Sequence, residues 1–162
     1  MACRGVHFAI TDEDLRALRD APGDEGVVEC IQAIEERWEE GFVCETDKAW
    51  DAIHRCLTDG KLGYENGDEP LKWCILGGEQ LFQGDGYIIA LVTHDRVRVL
   101  ANALAEVTPE FMALRYWGLP DDYSQPKEAQ DLQYTWDWFS GLPELFARAR
   151  ETGRHVIFTV DQ

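Results

Sequence analysis

Residues 154–160 read R-H-V-I-F-T-V, and residues 4–10 read R-G-V-H-F-A-I. Both alternate. Val156, Phe158 and Val160 leave one side of the first segment, with His155, Ile157 and Thr159 on the other; Val6, Phe8 and Ile10 oppose His7 and Ala9 in the second. A period of two is the pattern of a β-strand, whose successive side chains leave opposite faces. A solitary strand strands its own N–H and C=O groups, so the two chain ends are expected to lie in one sheet. A third strand, Tyr87 to Val92, follows the turn Gly84-Asp85-Gly86. Helical periodicity fills the long intervals between these strands. The expected fold is therefore α+β: a single compact domain over residues 1–162, with a small sheet that includes both terminal strands packed against several helices.

The helices announce themselves by their ends and stripes. Thr11 opens a short helix with acids in its first turn, T-D-E-D, and A-P-G-D ends it. Residues 25–40 place Val27, Cys30, Ile31 and Ile34 at helical spacing, Trp38 extends the stripe, and Gly41 is the expected stop. Glu39 and Glu40 would then oppose the helix dipole. The run D-K-A-W-D-A-I-H-R-C-L-T-D at 47–59 forms a third helix, capped by Thr46 or Asp47 and stopped at Gly60. The segment P-L-K-W-C-I-L at 70–76 reads as a short helix, although a strand fits it too. Thr93 and Thr108 cap two more helices. A long helix from near Pro126 is broken or kinked at Gly141-Leu142-Pro143 and resumes to about Thr152.

The 162 residues carry 15 basic and 31 acidic side chains, a formal net charge of −16. The excess is spread out: 6 basic and 15 acidic residues in 1–60, 9 and 16 in 61–162. An acidic surface of this kind repels nucleic acid and anionic membranes, and it can steer a basic protein partner. Five cysteines, an odd number with no C-x-x-C, disfavour a disulfide scaffold or a zinc knuckle. The start of the chain is too polar for a signal peptide, and no apolar run approaches the roughly 20 residues that span a bilayer. The expected compartment is the cytoplasm.

Catalytic motifs are missing. There is no G-x-S-x-G, no H-E-x-x-H, no phosphate loop and no dinucleotide fingerprint, so no cofactor and no metal is expected. Within 47–59, Trp50, Ile53, His54 and Leu57 share one face, which makes His54 either a hydrogen-bonded core histidine or a general base at a cleft. In the second case Asp47 or Asp51 would be its acidic or orienting partner. Asp47, Lys48, Asp51 and Arg55 form the other side of that helix, with Asp51 and Arg55 at ion-pair spacing, and are expected to be solvated. His7 and His155 would approach one another if the terminal strands are neighbours. His94 is expected to be exposed at a helix start. In Y-T-W-D-W-F, Leu132, Trp136 and Phe139 have core spacing, whereas Tyr134 and Trp138 fall on other faces. Trp50, Tyr134 and Trp138 are thus the candidate binding residues.

Four segments together resemble the YfbM-like family, bacterial domains of unknown function and of about this length. They are the N-terminal strand leading into a helix, D-K-A-W-D-A-I-H-R-C-L-T-D-G at 47–60, P-L-K-W-C-I-L-G-G at 70–78, and G-R-H-V-I-F-T-V at 153–160. The chain departs from the family pattern at Asp59 and Gly78. The resemblance implies a compact α+β domain and brings no activity. The leading functional expectation is a non-catalytic binding or interaction domain whose acidic surface docks a basic protein partner. The alternatives are a small hydrolase or transferase with a pocket near His54, and a small-ligand sensor built on the aromatic stretch.

Overall fold

A computed structural model describes residues 3–162. Its centre is a five-stranded antiparallel sheet in the order β2-β1-β5-β4-β3, made of β1 (Gly5–Ile10), β2 (Val43–Asp47), β3 (Glu79–Gln80), β4 (Tyr87–Val92) and β5 (His155–Asp161). The two terminal strands are neighbours, as their shared need for pairing requires: Gly5 lies opposite Val160 and Ile10 opposite His155. Helices cover both faces. On one side α1 (Asp12–Asp20) and α2 (Gly23–Arg37) bury Leu18, Val27, Ile31 and Ile34 against Phe8, Ile10, Ile89, Leu91 and Ile157. The other side carries α3 (Trp50–Leu57), α4 (His94–Ala105), α5 (Pro109–Trp117), α6 (Ala129–Phe139) and α7 (Leu142–Thr152). With both faces roofed, β4 reads Y-I-I-A-L-V, a continuous apolar run instead of an in–out alternation.

Several expectations need correction. Two strands escape the sequence reading. β2 pairs with the free edge of β1, and the short β3 pairs with β4 through Glu79 opposite Leu91. Because β2 runs to Asp47, neither Thr46 nor Asp47 caps the third helix; α3 begins at Trp50 with no side-chain cap. Helix α2 ends at Arg37, where Trp38 adopts a left-handed conformation (φ 37°) and its N–H reaches the carbonyls of Ile34 and Glu35. Glu39 and Glu40 therefore lie beyond the helix and do not oppose its dipole, and Glu39 instead accepts a two-pronged bond from Arg154. The short helix expected over 70–76 is a 3-10 helix confined to Leu71–Cys74, and the alternative strand does not form there. The C-terminal helix breaks where expected, into α6 and α7 joined through Ser140 and Gly141, and only its start differs, at Ala129 and not near Pro126.

Candidate functional site

Helix α3 is enclosed. Trp50, Ala52, Ile53, His54, Cys56 and Leu57 are buried, and so is Arg55, at 5% exposure. The Asp51–Arg55 side is thus not a solvated face. Arg55 is held by Asp51 at 2.6 Å, by Asp122 at 3.1 Å and by the Gly60 carbonyl, and it lies over the Tyr123 ring. The Trp50 indole N–H donates to the Cys3 carbonyl, and its ring packs on Phe158, so Trp50 serves the core.

His54 is 1% exposed. Its Nε2 donates to Asn66 Oδ1 at 3.3 Å, and the Asn66 amide in turn serves Thr58, Asp59 and the Lys61 carbonyl. Burial lowers the His54 pKa, with the Asn66 bond pulling the other way. No hydrogen bond joins His54 to Asp47 or Asp51. The geometry is that of a neutral histidine pinning the loop after α3, and it leaves the imidazole out of a substrate's reach.

The other histidines separate. His7 and His155 lie on opposite faces of the sheet: His7 stands opposite Phe158, and His155 stands opposite Ile10. His7 donates from Nε2 to the Cys74 carbonyl at 2.7 Å. His155 accepts the His94 N–H on Nδ1 and donates from Nε2 to Asp12, which holds the Asp12 carboxyl below its usual range. His94 is half-buried at the start of α4 and bonds the Arg150 carbonyl. Among the described residues, no three His, Cys, Asp or Glu side chains are grouped to hold a metal ion.

Two clefts flank α3. The larger, about 570 Å³, runs between the loop 58–71 and helices α4 and α5. Leu57, Leu71, Val107 and Phe111 give it apolar walls, while Asp59, Asp68, Glu69 and Glu106 supply acid. Asp59 is held below its ordinary pKa by the Asn66 amide. Arg115 is the cation of the lining; it is tied to the Thr58 carbonyl at 2.8 Å and stacked on Phe111. On α5, Leu114 and Trp117 continue from Phe111 at three-residue steps and are exposed at 77% and 48%.

The smaller cleft, about 290 Å³, is lined by Lys48, Ala49, Tyr123, Gln125, Asp131, Tyr134 and Thr135. Asp131 Oδ2 accepts the hydroxyl protons of Tyr116 (2.7 Å) and Tyr123 (2.8 Å). Burial, and then these bonds to a carboxylate, drive both phenols far above their ordinary pKa. The Tyr134 hydroxyl donates to Asp47 at 2.5 Å and accepts the Lys48 N–H, and its pKa is pushed up to about 12, by burial first and Asp47 second. Asp47 takes this position with a left-handed backbone (φ 46°), and Arg4 approaches its other oxygen at 3.2 Å. Of the candidate binding residues, Tyr134 lines the cleft, Trp138 is half-buried beside it at 6.3 Å between ring centroids, and Trp50 does not reach it. The exposed tryptophans are Trp38 and Trp117 instead.

The sequence offers Tyr116 and Tyr123, together with the aromatic stretch, as pocket-lining candidates but does not join them to Asp131. The three come from a helix, a loop and a second helix, and nothing in their spacing signals that three chain segments will share one carboxylate.

With this architecture in view, comparison with known proteins settles the family. A model of the family described as "Domain of unknown function (DUF1877)" matches residues 1–159. The chain belongs to that family. It is also similar in fold to the crystal structure of YfbM from Escherichia coli, a protein of unknown function, with a TM-score of 0.71 and 16% identity over 97% of this chain and 99% of that one. The resemblance read from the four sequence segments is thus met, and so is the α+β fold. No curated protein matches. Among the described residues, no helix is long and apolar enough to cross a membrane.

Proposed function

We propose that this DUF1877 domain is a non-catalytic binding module of the cytoplasm that docks a basic protein partner on its larger cleft. The observation that carries the reading is the pairing of four acidic side chains with apolar walls in one cleft. A lysine or arginine side chain has the same two-part character: a hydrocarbon stem that packs on Leu57, Val107 and Phe111, and a charged head for Asp59, Asp68, Glu69 and Glu106. Leu114 and Trp117 extend this apolar surface outward along α5, which favours a protein partner over a small cation. The overall charge of −16 adds long-range attraction for such a partner.

The test is capture of a partner from native cytosol by the tagged domain, washed at low and then high salt, in parallel with the double variant Asp68→Lys/Glu106→Lys. Both positions are exposed, so the fold tolerates the exchange. The reading expects a basic protein held at low salt, released at high salt and not retained by the variant. Equal retention by the variant, or an empty eluate at every ionic strength, defeats it.

A further inference from the structure

The smaller cleft has a different chemistry, independent of the acidic one. Satisfying Tyr116 and Tyr123 uses only one oxygen of Asp131; among the described residues no donor reaches Oδ1, which is not shut away from solvent. A carboxylate is therefore held rigidly by two phenols, with half of its accepting capacity turned over to the cleft. Tyr123 and Tyr134 line the same space, and aromatic rings favour a cation near their faces. Lys48 lines it as well and supplies the opposite charge, so a simple cation would meet repulsion where an anionic group would be welcomed. A volume of about 290 Å³ stands at the small end of ligand clefts. We propose that this cleft binds a small zwitterion of the α-amino-acid type, with its ammonium group on Asp131 and its carboxylate toward Lys48.

Two of the tyrosines around this cleft are fixed by bonds within the protein. Tyr116 is braced by the Glu128 N–H as it donates to Asp131, and Tyr134 is fixed between Asp47 and the Lys48 N–H. Little ordering is left to oppose binding. Amino acids blocked at either the ammonium or the carboxylate lose one of the two contacts, which gives the proposal a direct chemical signature.

Calorimetric titration of the purified domain with L-alanine, L-serine and L-glutamine, beside N-acetyl-L-alanine and L-alaninamide, reads this signature. At least one free amino acid is expected to bind, with the two blocked derivatives weaker by about tenfold or more. Asp131→Asn keeps an acceptor for the phenols and is expected to lose binding by a similar factor. Lys48→Glu, at an exposed position that does not endanger folding, is expected to reverse the order, so that L-alaninamide outcompetes L-alanine. If Asp131→Asn fails to fold, the Lys48→Glu reversal still decides. No heat from any amino acid at about 10 mM, equal binding of the blocked derivatives, or an unchanged order in Lys48→Glu overturns the proposal.

Discussion

His7 is wholly buried between Phe146 and Phe158, donates from Nε2 to Cys74, and has no partner for Nδ1 among the described residues. Burial lowers its pKa from 6.5 to about 4. Between those values the unfolded chain takes up a proton that the folded chain refuses, so stability is full near pH 7 and is lost as the pH falls from 6.5 toward 4. The interval is worth roughly 3 kcal/mol. His54, depressed by burial too, adds in the same direction. Urea midpoints measured from pH 7 to 4 are expected to fall, and His7→Gln, whose amide can still donate to Cys74, is expected to flatten the decline. Comparing the two profiles removes the opposing relief of acid–acid repulsion; identical slopes would show that His7 is not the group responsible. At Tyr134, replacement by Phe removes the hydroxyl bonded to Asp47 and the Lys48 N–H and is expected to cost about 1 kcal/mol in the same assay. Sequence placed His7 on the less apolar face of its strand but could not show that this face is roofed, because the second layer of helices comes from residues 50–152.

At the scale of elements, the threonine caps separate into two kinds. Thr11 makes a capping box with Asp14, and Thr108 accepts the Phe111 N–H at 3.1 Å. Thr93 occupies the N-cap of α4, but its side chain makes no cap bond; the Arg96 N–H goes to the Thr93 carbonyl. Thr11→Ala and Thr108→Ala are therefore expected to cost about 1 kcal/mol each in chemical denaturation, and Thr93→Ala only a few tenths. A Thr93→Ala cost equal to the other two would mean that its hydroxyl caps in solution. All three caps were legible from local sequence, as were the terminal strands and the helix stripes. β2 was not. The segment Val43–Asp47 is half-buried with no clean alternation, and its strand character comes from the vacant edge of β1, which is nearly forty residues away in sequence. Trp38 likewise ended α2 in a conformation that sequence reserves for glycine, one turn before the expected Gly41. Long-range pairing overrode local preference at β2.

For the molecule as a whole, charge was readable from composition, but where it gathers was not: the larger cleft joins Asp59, Asp68 and Glu69 of the loop after α3 to Glu106 at the end of α4. The same imbalance bears on stability. Against 31 acidic side chains stand 15 basic ones, and much of the basic set is already engaged, as in Arg19–Glu79, Arg37–Asp14 and Arg154–Glu39. Salt acts on both terms. It weakens exposed ion pairs, each worth about 0–1 kcal/mol, and it screens the repulsion among the surplus acids. The second term extends over the whole surface, because the screening length shrinks from about 30 Å at 0.01 M to about 10 Å at 0.1 M. Repulsion at a net charge of −16 should therefore dominate. The melting temperature is expected to rise by a few degrees between about 0.01 M and 0.15 M sodium chloride, and equally with potassium chloride, since screening depends on ionic strength and not on the ion. A fall over that range would mean that the ion pairs outweigh the repulsion. A rise with one cation alone would point to specific binding among the acids, and the larger cleft would be the first place to map it, by repeating the melt with Asp68→Lys/Glu106→Lys.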